Sequence, residues 1–221
     1  MASDVDICNL ALAQLGDSAS VQSINPPDQS PQAAHCARFY PIARDALLEM
    51  HTWGFATLRV QLAQVSNPFT TWQYAYAAPS DAINYLEVID PNATDDYSVG
   101  LQMAGATPYS VQTGVGIYTP QPFAIESIDG DEVILTNQAN AVLRYTRSVA
   151  STQEFSPLFV EGLSTLLASH LAGPVIKGAE GRAAGMAKMQ EFMKWREWAV
   201  ESDANQRRIR LVPGAAWMVN R

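Results

Sequence analysis

Lysine and arginine are missing from residues 60–143, a run of 84 positions that carries nine acidic side chains. Phosphate binding needs clustered cations, so this stretch argues against a protein that wraps duplex DNA. Cysteine is scarce as well. Cys8 and Cys36 are the two in the chain and lack CxxC spacing, which leaves no disulfide framework or zinc motif to read. Both fall in helical patterns and read as buried free thiols. The three histidines, His35, His51 and His170, show no metal-ligand spacing. Long apolar runs are also lacking. The best stretch, Leu158 to Ile176, is broken by Glu161, His170 and Pro174, so no membrane span is expected. The opening Met1-Ala2-Ser3-Asp4-Val5-Asp6 has no basic region and no long apolar region, and no signal peptide is expected. Asn92-Ala93-Thr94 then reads as a chance match to a glycosylation sequon.

What is present suits a packed protein. Of 221 residues, 48% are hydrophobic and 9% aromatic, ample for a core in one large domain or two small ones. The net charge of −8 is unevenly spread. Residues 1–59 carry −3, residues 60–143 carry −9, and residues 144–204 are neutral with seven charges of each sign. Residues 205–221 hold four arginines and no acid. An acidic body with a basic, acid-free tail points to an interaction role.

The first helix is expected to start at a Ser3 or Asp4 cap, to place Ile7, Leu10, Ala11 and Leu15 at helical spacing, and to end at Gly16. Residues 17–30 read as a loop. Ser30-Pro31 marks a second helix running to about His51, with Ala33, Ala37, Tyr40, Arg44, Leu47 and Leu48 on one side. Pro41 is expected to kink or split it. From Trp53 the period shortens to two. Strands are expected over 55–63, 72–76, 84–89, 109–118, 122–128, 131–136 and 141–148, with a hairpin at Asp129-Gly130-Asp131. Such spacing suggests a small β-sandwich or barrel-like sheet. Residues 90–108 read as a long surface loop. Ser156-Pro157 opens a third helix, with Phe159, Leu163, Leu166, Leu167 and Leu171 buried and Gly173-Pro174 interrupting it. A last helix over roughly 179–203 carries a stripe of Met186, Met189, Met193 and Val200, which reads as core. Trp195 and Trp198 lie partly off that stripe and hint at a second packing surface, a subunit interface.

The tail 205–221 cannot bury enough apolar surface to order itself in water. It nevertheless holds Ile209, Leu211, Val212, Trp217 and Met218 beside Arg207, Arg208 and Arg210, and reads as a segment that folds on a partner.

Catalytic constellations are weak. His35 and Cys36 are helix neighbours that point apart. Gly114-Val115-Gly116 lacks the rest of a dinucleotide fingerprint and reads as a strand kink. Phosphate-loop and nucleophile-elbow motifs are absent from the sequence. Asp95-Asp96 and the group Glu126, Asp129, Asp131 and Glu132 offer paired carboxylates for glycan hydrolysis, but turn carboxylates are usually just solvated. No catalytic residue, metal or cofactor is expected.

The order of segments resembles one family. Ile7 to Gly16 (ICNLALAQLG) looks like the start of tailed-phage head-to-tail adaptors of the tail tubular protein A type. So do Ala37 to Leu48 (ARFYPIARDALL) and His51 to Ala56 (HTWGFA). Tyr74 to Asp81 (YAYAAPSD) is similar to a recurring tyrosine-proline-aspartate feature. Leu143-Arg144-Tyr145, Phe155 to Phe159 and the helix to Leu171-Ala172 match its later portion, so the resemblance covers roughly residues 5–200.

The resemblance implies a non-enzymatic virion protein at the head–tail junction, assembled in the host cytoplasm. It implies a ring of about twelve copies docked beneath the portal, with the tail nozzle on its far side and DNA passing through unbound. It also implies an α+β fold: a helical domain from both chain ends, an inserted antiparallel β-domain and an extended C-terminal tail. The expected parts are 1–52 (helical), 53–150 (β-sandwich-like), 151–204 (helical) and 205–221 (extension). Arg207, Arg208, Ile209, Arg210, Leu211, Val212, Trp217 and Met218 are then candidates for gripping the portal. The acidic side chains Asp95, Asp96, Glu126, Asp129, Asp131 and Glu132 are candidates for a channel wall or tail-facing surface. The alternatives are a tail-completion or assembly factor and, less favoured, a tail-associated glycan hydrolase.

Overall fold

The computed structural model describes residues 2–18, 20–93 and 121–206. The fold is α+β, with helices at both ends of the chain and an antiparallel β region between them. It divides into a helical unit (residues 2–57 and 146–206) and a β unit within residues 58–145.

The helical unit contains α1 (Asp4–Gln14), α2 (Pro31–Glu49), α3 (Pro157–Ile176) and α4 (Gly178–Ala204). Three of their starts follow from short polar caps. The Ser3 hydroxyl accepts the Asp6 N–H at 3.1 Å while the Asp6 carboxylate accepts the Ser3 N–H at 2.9 Å, a reciprocal capping box. Ser30 accepts from the Ala33 N–H and Ser156 from the Phe159 N–H, each just before a proline whose missing N–H costs nothing at a helix start. Gly16, at φ +77°, lies just past α1 and lets the chain leave it.

Two expected interruptions do not occur. α2 continues through Pro41, and α3 continues through Gly173-Pro174 to Ile176. A proline removes one ladder bond, and burial outweighs that loss: Tyr40, Ala43, Leu47 and Leu48 around Pro41 are all in the core. Pro174 sits so near the end of α3 that few bonds remain to lose. Leu10, placed on the buried side of α1 by its spacing, is 41% exposed, and Leu12 takes the core position instead.

α3 is the central helix and contacts α1, α2 and α4. By length and composition it is long and apolar enough to cross a membrane. Here its apolar side chains Phe159, Leu163, Leu166, Leu167 and Leu171 are buried within the helical unit. Its buried hydroxyls are satisfied locally, since Ser164 and Thr165 both donate to the Glu161 carbonyl. Trp53, fully buried, donates its indole N–H to the Leu47 carbonyl at 2.9 Å and meets Phe159 edge-on. Phe55 and Phe155 complete that aromatic cluster. Anchoring Phe55 here shortens the expected strand over 55–63. Gly54–Ala56 form a 3-10 turn and the strand starts at Thr57.

The β unit holds two sheets built from β1 (Thr57–Gln61), β2 (Gln64–Val65), β3 (Tyr74–Ala77), β4 (Ala82–Ile89), β5 (Phe123–Ile128), β6 (Asp131–Thr136) and β7 (Val142–Arg147). Their orders are β1-β7-β4 and β2-β3-β6-β5. Tyr76 and Ile134 from the second sheet share one apolar cluster with Val88, Leu143 and Tyr145 from the first. Alternate residues Ala75, Val133 and Leu135 build a second cluster on the opposite face. The β5–β6 hairpin pairs Ile128 with Asp131 across Asp129 (φ +54°) and Gly130 (φ +95°), the two left-handed positions that such a turn requires. The expected strand over 109–118, most of the loop 90–108 and the Gly114-Val115-Gly116 kink lie outside the described residues.

Candidate subunit interface

α4 packs on α3 through its smallest side chains. A Cβ at Gly181 would stand 2.8 Å from the Ala172 carbonyl oxygen, and one at Gly185 would stand 3.0 Å from the Ser169 carbonyl oxygen. Glycine at these positions brings the two backbones close. Gly181, Phe192 and Ala199 form the buried line of α4.

That close approach overturns the reading of the methionine stripe as core. Met186, Met189 and Met193 are 70%, 38% and 41% exposed. At about 100° per residue they occupy a flank roughly 100° to one side of the buried line. Trp198, 53% exposed, lies roughly 100° to the other side. It meets Trp195 edge-to-face, with centroids 5.1 Å apart and planes at 86°. The helix therefore carries two unlike apolar surfaces, one flexible and thioether-rich, one aromatic. On the Trp198 side of the buried line Lys188 and Glu191 pair at 2.8 Å, and that hydrogen bond holds the Glu191 carboxyl below its ordinary range.

The sequence reading identified Trp195 and Trp198 as surface residues but assigned Met186, Met189 and Met193 to the interior. The signal that separates them was present in Gly181 and Gly185, four residues apart and hence on one helix face.

The remaining candidate residues fall elsewhere. Glu126, Asp129, Asp131 and Glu132 all stand exposed on the β5–β6 hairpin. Register places Glu126 opposite Val133 and Asp131 opposite Ile128 on one face, with Glu132 opposite Ser127 on the other. Glu132 accepts the Tyr85 hydroxyl at 2.6 Å, and burial together with that bond pushes the Tyr85 phenol up. Asp95 and Asp96 lie outside the described residues, as do Arg207, Arg208, Ile209, Arg210, Leu211, Val212, Trp217 and Met218. Among the described residues, no group of three or more His, Cys, Asp and Glu side chains is placed to hold a metal ion. No family model matches this chain, and no curated protein matches it.

Proposed function

We propose that this chain is a structural subunit of a phage head-to-tail adaptor, forming a ring of about twelve copies between the portal and the tail nozzle. The observation that carries this reading is the pair of unlike apolar flanks on α4. Identical subunits that join head to tail need two different, mutually complementary patches, and such contacts close into rings. An exposed tryptophan on one copy and a thioether-rich flank on the next are a chemically suitable pair. The order of sequence segments supplies the identity of the ring.

Two further features support the reading. DNA must pass an adaptor without sticking, and a β region with no lysine or arginine over residues 60–143 repels phosphate. The exposed carboxylates Glu126, Asp129, Asp131 and Glu132 suit a passage wall or a tail-facing surface. The basic, apolar tail 205–221 serves as the arm that grips the portal.

Native mass measurement and negative-stain imaging, with and without purified portal protein, test the proposal. A ring seated on the portal is expected. A chain that stays monomeric with portal present and is absent from finished particles would instead be a tail-completion or assembly factor.

A further inference from the structure

β5 is the last strand of its sheet, and among the described residues only β6 pairs with it. The direction of the backbone groups on that open edge follows from the hairpin. Ile128 and Asp131 close a two-residue turn and form a hydrogen-bonded pair, as do Glu126 with Val133 and Ala124 with Leu135. The intervening residues of β6 face the other way, and the Glu132 carbonyl accordingly accepts the Ala78 N–H at 3.1 Å. On β5 the same alternation turns the N–H and C=O groups of Phe123, Ile125 and Ser127 away from β6. Ile125, Glu126 and Ser127 are exposed there, Ile125 by 39%.

Such an edge is a template for another strand. Its two faces differ, with Phe123, Ile125 and Ser127 on one and Ala124, Glu126 and Ile128 on the other. A strand that fits carries an apolar side chain beside Ile125 and a cation beside Glu126, in alternation. Residues 60–143 offer no cation. The acid-free tail does. Arg208-Ile209-Arg210-Leu211 alternates basic and apolar, Val212 follows, and Pro213, which has no N–H to give a ladder, ends the run.

We propose that Arg208–Val212 of the same chain adds to β5 as an antiparallel fifth strand of this sheet. Leu211 stands opposite Ile125 and Ile209 opposite Ser127, and these two pairs take up the backbone hydrogen bonds that the open edge offers. Arg210 then falls opposite Glu126, and Arg208 opposite Ile128, level with the turn that carries Asp129. A slip by one residue would set Arg210 beside Ile125 and Ile209 beside Glu126, so side-chain chemistry fixes the register. So short a strand binds weakly by itself. The tether to α4, which ends at Ala204, supplies the local concentration that holds it, and this favours the chain's own tail over a second copy. In the adaptor reading the same residues grip the portal, so docking has to peel them from β5; that consequence rests on the proposed function, and the strand does not.

Residue-resolved amide exchange on the full chain, kept dilute enough to be monomeric by light scattering, tests the strand without portal. The Ile125 and Ser127 amides should exchange roughly tenfold slower than in a chain that ends at Gln206, while the Glu126 amide, bonded to β6 in both, changes less. Ile209→Pro removes the N–H that faces Ser127 and should release the same two amides. Arg210→Glu should raise their exchange, and adding Glu126→Arg to it should restore protection. Equal rates in the full and shortened chains, protection that survives Ile209→Pro, or a charge swap that restores nothing would each overturn the proposal. Protection that grows with protein concentration would put a second copy on β5 and overturn it as well. If the shortened chain does not fold, Ile209→Pro and the charge swap decide the question, since they alter only the tail and one exposed side chain. A full chain that shows the protection yet forms no ring on the portal would support the strand and refute the adaptor reading.

Discussion

Asp203, in the last turn of α4, accepts the backbone N–H of Gly54 through both carboxylate oxygens, at 3.0 and 3.2 Å. The same carboxylate stands 3.1 Å from His51 Nε2 and is only 12% exposed. This contact ties the end of the last helix to the turn that follows α2, far away in sequence. Asp203→Ala leaves a backbone donor without its acceptor and should cost about 1–3 kcal/mol in urea unfolding. Asp203→Asn keeps an acceptor oxygen and should lose less. Equal stability of the alanine variant and the parent would show that the contact contributes nothing.

The α3–α4 approach gives an internally controlled pair. Gly181→Ala places a methyl group 2.8 Å from the Ala172 carbonyl oxygen, so the helices must separate. A loss of about 1–3 kcal/mol is expected. Gly173→Ala, also helical, meets nothing within 4 Å and should gain up to about 1 kcal/mol from helix propensity. Thermal unfolding of both variants should move in opposite directions. A shared sign would mean that packing is not what sets Gly181.

Asp28 makes stability acid-sensitive. Hydrogen bonds from the Gln22 N–H, the Ser30 hydroxyl and the Ser30 N–H hold its carboxyl at about 2, below the ordinary value of 3.8. A folded-state value below the unfolded one means the ionised form favours folding. That contribution is complete above the ordinary aspartate range and fades as pH falls from about 4 to about 2. Asp28→Asn should be less stable than the parent at neutral pH, with the gap narrowing across that window. A gap that stays constant from neutral pH to below pH 2 would assign the effect to something other than ionisation.

The two flanks of α4 should be separable from folding. Met189→Glu and Trp198→Ser each add polarity to a surface that is already exposed, so the monomer's melting temperature should stay within about 2 °C of the parent. Each variant alone should block ring formation on the portal. Mixed together, the two still offer one intact Trp198 flank and one intact Met189 flank and should form dimers but no closed rings. Sedimentation velocity distinguishes these outcomes, and normal rings from either variant would remove α4 from the interface.

Local chemistry was legible in the sequence wherever a few neighbouring residues decide the structure. Ser3, Ser30-Pro31 and Ser156-Pro157 mark helix starts because cap and donor lie within three residues. Asp129-Gly130 marks the hairpin because that turn demands left-handed backbone at both positions. Pro41 misled for the opposite reason, since the burial that carries the helix through it comes from other elements. The methionine stripe misled because periodicity reports an apolar face and not what covers it. Two glycines, rather than methionines, seat α4 on α3. The meeting of Asp203 with Gly54 depends on how separate elements pack, and no local signal encodes it.

The cation-free stretch of the β unit also decides how an assembly of this protein can be mapped. Arg59 and Arg144 bracket it, so trypsin can cut nowhere between them and leaves residues 60–144 as one fragment. Lysine-reactive cross-linkers find no anchor anywhere in the β unit, because all three lysines, Lys177, Lys188 and Lys194, belong to the connection into α4 or to α4 itself. A cross-linking map drawn with such reagents would show the helical unit's neighbours alone. Carboxylate-directed coupling through Glu126 and Asp131, read out after cleavage at acidic residues, is the chemistry that makes the other half of the subunit visible.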